Sequence, residues 1–80
     1  MASKAIFEEW VVEALTHHNR KATILQVSKF IWSNYEKELR EEDEIFYKWQ
    51  YIFRWAAKTL RDKGIMKPVK DSPYGIWELK

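Results

Sequence analysis

The stretch "FYKWQYIFRWAAKTLRDKG", residues 46–64, combines six aromatic rings in its first ten positions with regularly spaced cations. Five of its apolar residues recur every three or four positions, the spacing that places side chains on one face of an α-helix. They are Trp49, Ile52, Phe53, Ala56 and Leu60. Gly64 follows as a residue that readily adopts the left-handed backbone conformation found at helix ends. The pattern predicts a helix over residues 45–63 with this stripe facing the core.

The opposite face of the same helix carries cations, an amide and phenols, and no acid. Its members are Tyr47, Gln50, Tyr51, Arg54, Lys58 and Arg61. Arg and Lys neutralise phosphates or reach guanine edges, Gln can read adenine, and Tyr hydroxyls bond phosphate oxygens. The set therefore suits DNA, and a merely solvated basic face is the alternative.

Two more amphipathic helices are predicted upstream, over residues 4–18 and 24–39. The first has Ser3 as its N-cap and ends in "HHNRK" with Asn19 as a left-handed cap. The second begins with a capping box in which Thr23 and Gln26 each satisfy the other's free backbone amide. The inward stripes are Ile6, Phe7, Trp10, Val11, Ala14 and Leu15 in the first helix, and Ile24, Val27, Ile31 and Tyr35 in the second.

Residues 65–79 change to short extended runs. The segments "IMKPV" and "IWEL" flank the turn-forming "KDSPYG", which predicts a β-hairpin with Pro68 at an edge and Gly75 in the turn. The preceding segment "KAT" at 21–23 could add a very short strand. The chain is therefore predicted to be mainly α with a small β-hairpin, an α+β fold of three helices followed by two strands.

This element order resembles the winged helix-turn-helix superfamily over essentially the whole chain. The resemblance rests on the capped second helix "ATILQVSKFIW", the third helix "RWAAKTLRDKGIM" and the wing "KPVKDSPYGIWEL". The ending also resembles small bacterial winged-helix modules that precede restriction-endonuclease-like domains.

The resemblance implies a regulatory or accessory role on double-stranded DNA, with the third helix in the major groove and the wing on the backbone. It implies that Gln50, Arg54 and Lys58 face bases or phosphates. It also implies that four wing residues grip the adjacent backbone. They are Lys67, Lys70, Ser72 and Tyr74.

Length and composition limit the class of protein. Eighty residues predict one domain, because so short a chain cannot divide its apolar surface between two cores. The absence of cysteine removes disulfides and thiolate ligands and favours the cytoplasm. No run of 18 apolar residues is present, so no membrane span is predicted.

Charge is segregated along the chain although the net charge is only +2. Residues 36–44 hold six acids against two bases, whereas residues 47–63 hold five bases against Asp62 alone. The acidic segment is interpreted as a solvated connection between two helices.

Trp55 fits neither face of the third helix cleanly. It either packs under the wing against Trp77 or Ile65, or is exposed beside Tyr51 and Trp32 as a protein-interaction patch. The second case favours a winged-helix module that binds a protein partner, or a second copy of itself, and no nucleic acid.

Catalysis, cofactors and metals find little support. No serine has a histidine and an acid near it in the predicted fold, and no glycine-rich phosphate loop is present. His17 and His18 are adjacent, so a helix points them about 100° apart, which is unsuited to chelating one ion. The acidic segment lacks the alternating pattern and central glycine of a calcium loop. We therefore expect no enzyme activity, no cofactor and no metal site.

Overall fold

The structure is a computed structural model that describes residues 4–41 and 43–80. Helices account for most of these residues, and two short strands form an antiparallel sheet. The predicted α+β class with three helices is therefore confirmed. In chain order the elements are α1 (Lys4–His17), β1 (Lys21–Thr23), α2 (Ile24–Arg40), α3 (Asp43–Asp62) and β2 (Ile76–Glu78), with a 3₁₀ turn at Val69–Asp71. The predicted N-cap Ser3 lies outside the described residues.

The hydrophobic core lies where the three helices meet, and α3 contacts both α1 and α2. All five residues predicted to face inward from α3 are buried. In α1, Phe7, Val11 and Leu15 are completely buried. Full burial of a large apolar side chain contributes about 1.5–3 kcal/mol, so these stripes supply the main driving force for the fold. The periodic pattern therefore identified the core correctly in both helices.

A tight turn joins α1 to β1. Asn19 and Arg20 both have positive φ, at 61° and 74°, and the Arg20 amide donates to the Leu15 carbonyl at 2.6 Å. Asn tolerates this conformation because its short polar side chain can bond locally. β1 leads directly into α2, where Thr23 Oγ1 accepts from Gln26 N at 3.0 Å and Thr23 N donates to Gln26 Oε1 at 2.8 Å. The predicted left-handed cap and capping box are both confirmed.

The helix α2 bends at Tyr35, whose φ of −131° and ψ of 22° are not helical. The Tyr35 ring stacks on Trp10 of α1 with 4.2 Å between centroids, and its hydroxyl donates to Glu13 Oε1 at 2.6 Å. This hydrogen bond to a carboxylate, together with desolvation, raises the pKa of Tyr35 to about 12. The bend therefore coincides with a contact that ties α2 to α1.

The connection between α2 and α3 is shorter than the acidic segment predicted. α2 continues to Arg40 and α3 already begins at Asp43. Within the acidic segment Glu36 pairs with Arg40 at 2.7 Å, and Glu44 pairs forward with Lys48 at 3.7 Å. Each such pair, one helical turn apart, stabilises an exposed helix by about 0.2–0.5 kcal/mol, and acids suit the N-terminus of α3. Most of the acidic segment is therefore helical.

The small sheet pairs β1 with β2, and the hairpin predicted within residues 65–79 forms only in part. The register places Lys21 opposite Glu78, Ala22 opposite Trp77 and Thr23 opposite Ile76. The other arm of the predicted hairpin contributes one bridge, between Met66 and Leu79. The pairing of this arm cannot extend further, because Pro68 has no backbone N–H to donate and residues Val69–Asp71 form a 3₁₀ helix. The predicted strand at 21–23 is thus a principal partner of β2.

Candidate functional site

The helix α3 presents two rows of exposed side chains, one on either side of the line opposite the core. At about 100° per residue, positions three or four apart stay in the same row. The first row, which we call the Arg54 row, consists of Tyr47, Gln50, Arg54 and Arg61. The second, which we call the Trp55 row, consists of Glu44, Lys48, Trp55 and Asp62. Tyr51 and Lys58 lie at the boundary between the two rows. The Arg54 row contains no acid between residues 47 and 61. Glu44 and Asp62 belong to the other row, so the two rows differ in charge.

Arg54 is the most available cation of the Arg54 row. Its side chain is exposed, and it forms no hydrogen bond or ion pair with any residue in the part of the chain that the structure describes. Lys58 is also exposed but is shared: its Nζ lies 3.3 Å from Asp62 Oδ2 and 5.5 Å from the centre of the Trp55 ring. Exposed ion pairs of this kind contribute only about 0–1 kcal/mol, so an external anion can compete for Lys58.

Arg61 connects the Arg54 row to the C-terminal segment, by which we mean residues 65–79. Its Nε donates to the Lys67 carbonyl oxygen at 3.3 Å, and its guanidinium lies over the Trp77 ring, 5.9 Å from the centroid. Burial lowers the pKa of Arg61 from its ordinary value. The Arg54 row therefore runs directly into the C-terminal segment, through a side chain that also holds the fold together.

The four predicted backbone-gripping residues of the C-terminal segment lie in different environments. Lys67 is half-buried, and its Nζ pairs with Glu78 Oε2 at 3.0 Å. Lys70 and Tyr74 are exposed, and Tyr74 is as exposed as a side chain can be. The Ser72 hydroxyl is buried and has no hydrogen-bond partner among the described residues. Two of the four, Lys70 and Tyr74, are thus directly accessible.

A groove of about 530 Å³ runs between α2 and α3 beside the Arg54 row. The rings of Trp32, Phe46 and Trp49 line it, and Trp32 lies nearly parallel to Trp49 with 5.9 Å between centroids. Gln50 of the Arg54 row also lines the groove, opposite Lys29 of α2. Lys29 was not among the predicted site residues, because helical spacing does not reveal which face of α2 adjoins α3.

Trp55 is 56% exposed, so the prediction that it packs under the wing is wrong. Phe53 and Arg61 contact the Trp77 ring instead, with 5.5 Å between the Phe53 and Trp77 centroids. Around the axis of α3, Trp55 and Arg61 both lie about 120° from the centre of the buried face, but on opposite sides of it. The C-terminal segment packs on the Arg61 side.

The alternative prediction for Trp55, an exposed patch with Tyr51 and Trp32, is met only in part. Tyr51 is 74% exposed, and together with Trp55 it lines a cavity of about 310 Å³. The remaining lining residues of this cavity are Glu44, Ile45, Lys48 and Ile52. Trp32 lies in the other groove, on the far flank of α3.

The two histidines lie together at the end of α1. The His17 ring is 5.2 Å from the Phe30 ring, and His18 Nδ1 is 2.9 Å from the Ala14 carbonyl oxygen. Among residues 4–41 and 43–80 there is no group of three or more His, Cys, Asp or Glu side chains placed to hold a metal ion. No helix in the same ranges is long and apolar enough to cross a membrane.

Comparisons of the chain with models of protein families, with curated proteins and with solved structures found no match. The winged-helix resemblance therefore stays a prediction.

Proposed function

We propose that this chain is a winged-helix DNA-binding domain, regulatory or accessory to DNA transactions, that inserts α3 into the major groove and rests its C-terminal segment on the backbone. The observation that carries the proposal is the Arg54 row, an acid-free strip of α3 that is joined to the C-terminal segment by Arg61. Exposed cations and phenols from two distant parts of the chain can thereby meet one polyanion.

The topology supports this proposal. A short strand between α1 and α2 pairs with β2, and Leu79, directly after β2, bridges to Met66 just after α3. The segment between Met66 and β2 is a loop that contains the 3₁₀ turn, and its residues Lys70 and Tyr74 are exposed. A helix with a flanking loop is the combination that a winged helix would use to contact groove and backbone together.

The side-chain chemistry also supports DNA over an unspecified anion. Arg54 can bond a phosphate or the O6 and N7 atoms of guanine, and Gln50, one helical turn earlier, can bond the N6 and N7 atoms of adenine. The overall charge is small, so binding depends on this local arrangement and not on a general basic surface.

The proposal is tested by reversing charge at Arg54 and Lys58 together, with the single reversal Lys48→Glu as the control. Lys48 and Lys58 each pair with an acid one helical turn away on α3, but Lys48 belongs to the Trp55 row. Anisotropy of a labelled mixed-sequence duplex at low salt should show loss of binding in the double variant. The control should retain most of the parental affinity.

Equal binding by the parent and the double variant would refute the proposed surface, provided that both have the same melting temperature. The double variant changes the net charge by four units and Lys48→Glu by two. A loss of log affinity in Lys48→Glu about half as large as that in the double variant would therefore mean that only net charge matters, and that α3 is not inserted.

A second function, a protein-interaction module without nucleic-acid binding, is favoured by the cavity beside Tyr51 and Trp55. An exposed Trp and Tyr at the edge of a cavity are typical of interface hot spots. Sedimentation of the parent and of Trp55→Ala distinguishes this function. Self-association that Trp55→Ala abolishes, in a protein without DNA affinity, would favour it.

A further inference from the structure

The groove between α2 and α3 combines an aromatic wall with a polar rim. Trp49 is almost buried, whereas Trp32 and Phe46 are half-buried and expose part of their rings. The rim carries the ammonium group of Lys29 and the amide of Gln50, and no acid lines the groove. A flat apolar ligand with a polar edge and an attached negative charge would match all three features.

The aromatic wall is held in place from outside the groove. The Arg40 guanidinium lies 5.1 Å from the centre of the Trp32 ring and 5.2 Å from that of Phe46, and Arg40 does not line the groove. Arg40 is itself paired with Glu36 at 2.7 Å. Arg40 therefore restrains both rings from outside the groove, which reduces the conformational entropy lost when a ligand stacks on the parts of the rings that line it.

We propose that this groove takes an unpaired nucleobase of the DNA that the Arg54 row holds, so that the protein prefers DNA with an extruded or bulged base over a continuous duplex. The inference rests on the proposed function. A base would stack on Trp32 and Phe46, as bases do on aromatic side chains in single-strand-binding proteins. Lys29 would neutralise the phosphate attached to it, and Gln50 would bond its edge in place of the edge of a paired adenine.

The position of Gln50 is the reason for choosing a base of the bound DNA over a free ligand. Gln50 belongs to the Arg54 row and also lines the groove, so a strand lying along Arg54 passes the mouth of the groove. The volume of about 530 Å³ is within the range of about 300–1,000 Å³ that small-molecule sites occupy. A paired base cannot reach the aromatic wall without leaving its stack, which costs a few kcal/mol, whereas a bulged base is already free.

The experiment compares two labelled duplexes of the same sequence, one continuous and one with a single unpaired adenine. The parent protein should bind the bulged duplex about fivefold or more tightly, since stacking of one base contributes at least that factor. Trp32→Leu should abolish the difference and leave binding of the continuous duplex in place. Trp55→Leu, the matched control on the opposite flank of α3, should retain the difference.

A second measurement on the parent protein guards against misfolding of Trp32→Leu. In an NMR titration, the indole signal of Trp32 should shift with the bulged duplex and stay nearly unchanged with the continuous one. Equal affinity for the two duplexes, or an unmoved Trp32 signal, would overturn the inference while leaving the proposed function intact.

Two other outcomes would also overturn it. A free adenosine monophosphate that shifts the Trp32 signal and abolishes the preference for the bulge would make the groove a nucleotide site independent of DNA. Absence of binding to either duplex at low salt would refute the proposed function, and this inference with it.

Discussion

Replacing Arg61 by alanine should destabilise the fold, whereas the same change at Arg54 should leave its stability almost unchanged. Both are arginines of the same row of α3, but only Arg61 is engaged within the molecule. The long hydrogen bond from its Nε to the Lys67 carbonyl oxygen, at 3.3 Å, contributes about 1 kcal/mol. Its stacking on Trp77, at 5.9 Å, and the burial of its methylenes together add about another 1 kcal/mol.

We therefore expect Arg61→Ala to lower the free energy of unfolding by about 2 kcal/mol, which for a domain of this size corresponds to about 10 °C in melting temperature. Urea denaturation followed by tryptophan fluorescence and by far-UV circular dichroism measures the change, with an unchanged m-value expected. Arg54→Ala should stay within about 0.5 kcal/mol of the parent.

A double-mutant cycle with Trp77→Leu isolates the stacking contribution. We expect a coupling energy of about 0.5 kcal/mol between Arg61 and Trp77. If Arg61→Ala proved as stable as Arg54→Ala, the contacts of Arg61 would contribute nothing, and the argument that it ties α3 to the C-terminal segment would be refuted. This comparison also makes Arg54 the cleaner probe of DNA binding, because a loss at Arg61 would mix stability with recognition.

Three further predictions concern binding, capping and pH. If Arg54 neutralises one phosphate, Arg54→Ala should reduce the slope of log affinity against log salt by about 0.9, and an unchanged slope would remove Arg54 from the interface. Thr23→Ala should lower the free energy of unfolding, measured by urea denaturation, by about 1 kcal/mol, because the backbone amide of Gln26 loses its acceptor. An unchanged free energy would show that the capping box does not stabilise the fold. Stability should fall as pH rises from about 10 to about 12, because the unfolded chain releases the Tyr35 proton near its ordinary pKa while the bond to Glu13 retains it in the fold. Alkaline melting curves of Tyr35→Phe should lack this component, and identical curves would contradict the assignment.

The three helices were predictable because their signals are local. The stripe in α3, the Thr23–Gln26 box and the left-handed residue Asn19 each depend on side chains within about one helical turn of one another. Gly64 likewise has the predicted positive φ, at 77°. Neighbours so close in the chain meet in the same way whatever the rest of the protein does.

Strand pairing was predicted less well because it is decided by residues far apart in the chain. The two arms of a hairpin are the nearest candidates in sequence, and the pattern around Gly75 suits a turn. In the fold, β1 pairs along one edge of β2, whereas the arm around Met66 adds only one bridge on the other edge before Pro68 and the 3₁₀ turn end it. The position of β1 beside β2 depends on how α1 and α2 pack, which no local pattern contains.

By itself the sequence determined the helices, the capping box of α2, the left-handed residues after α1 and α3, the buried stripes and the outward set of side chains on α3. Helical periodicity converts position in the chain directly into angle around a helix. Only the tertiary structure decided which flank of α3 adjoins the C-terminal segment, and hence that Arg61 covers Trp77 while Trp55 stays exposed. It also decided that Trp32 joins Trp49 in a groove beside Gln50. The physical reason is that an angle around one helix is a property of that helix alone, whereas what lies at that angle depends on the packing of all the others.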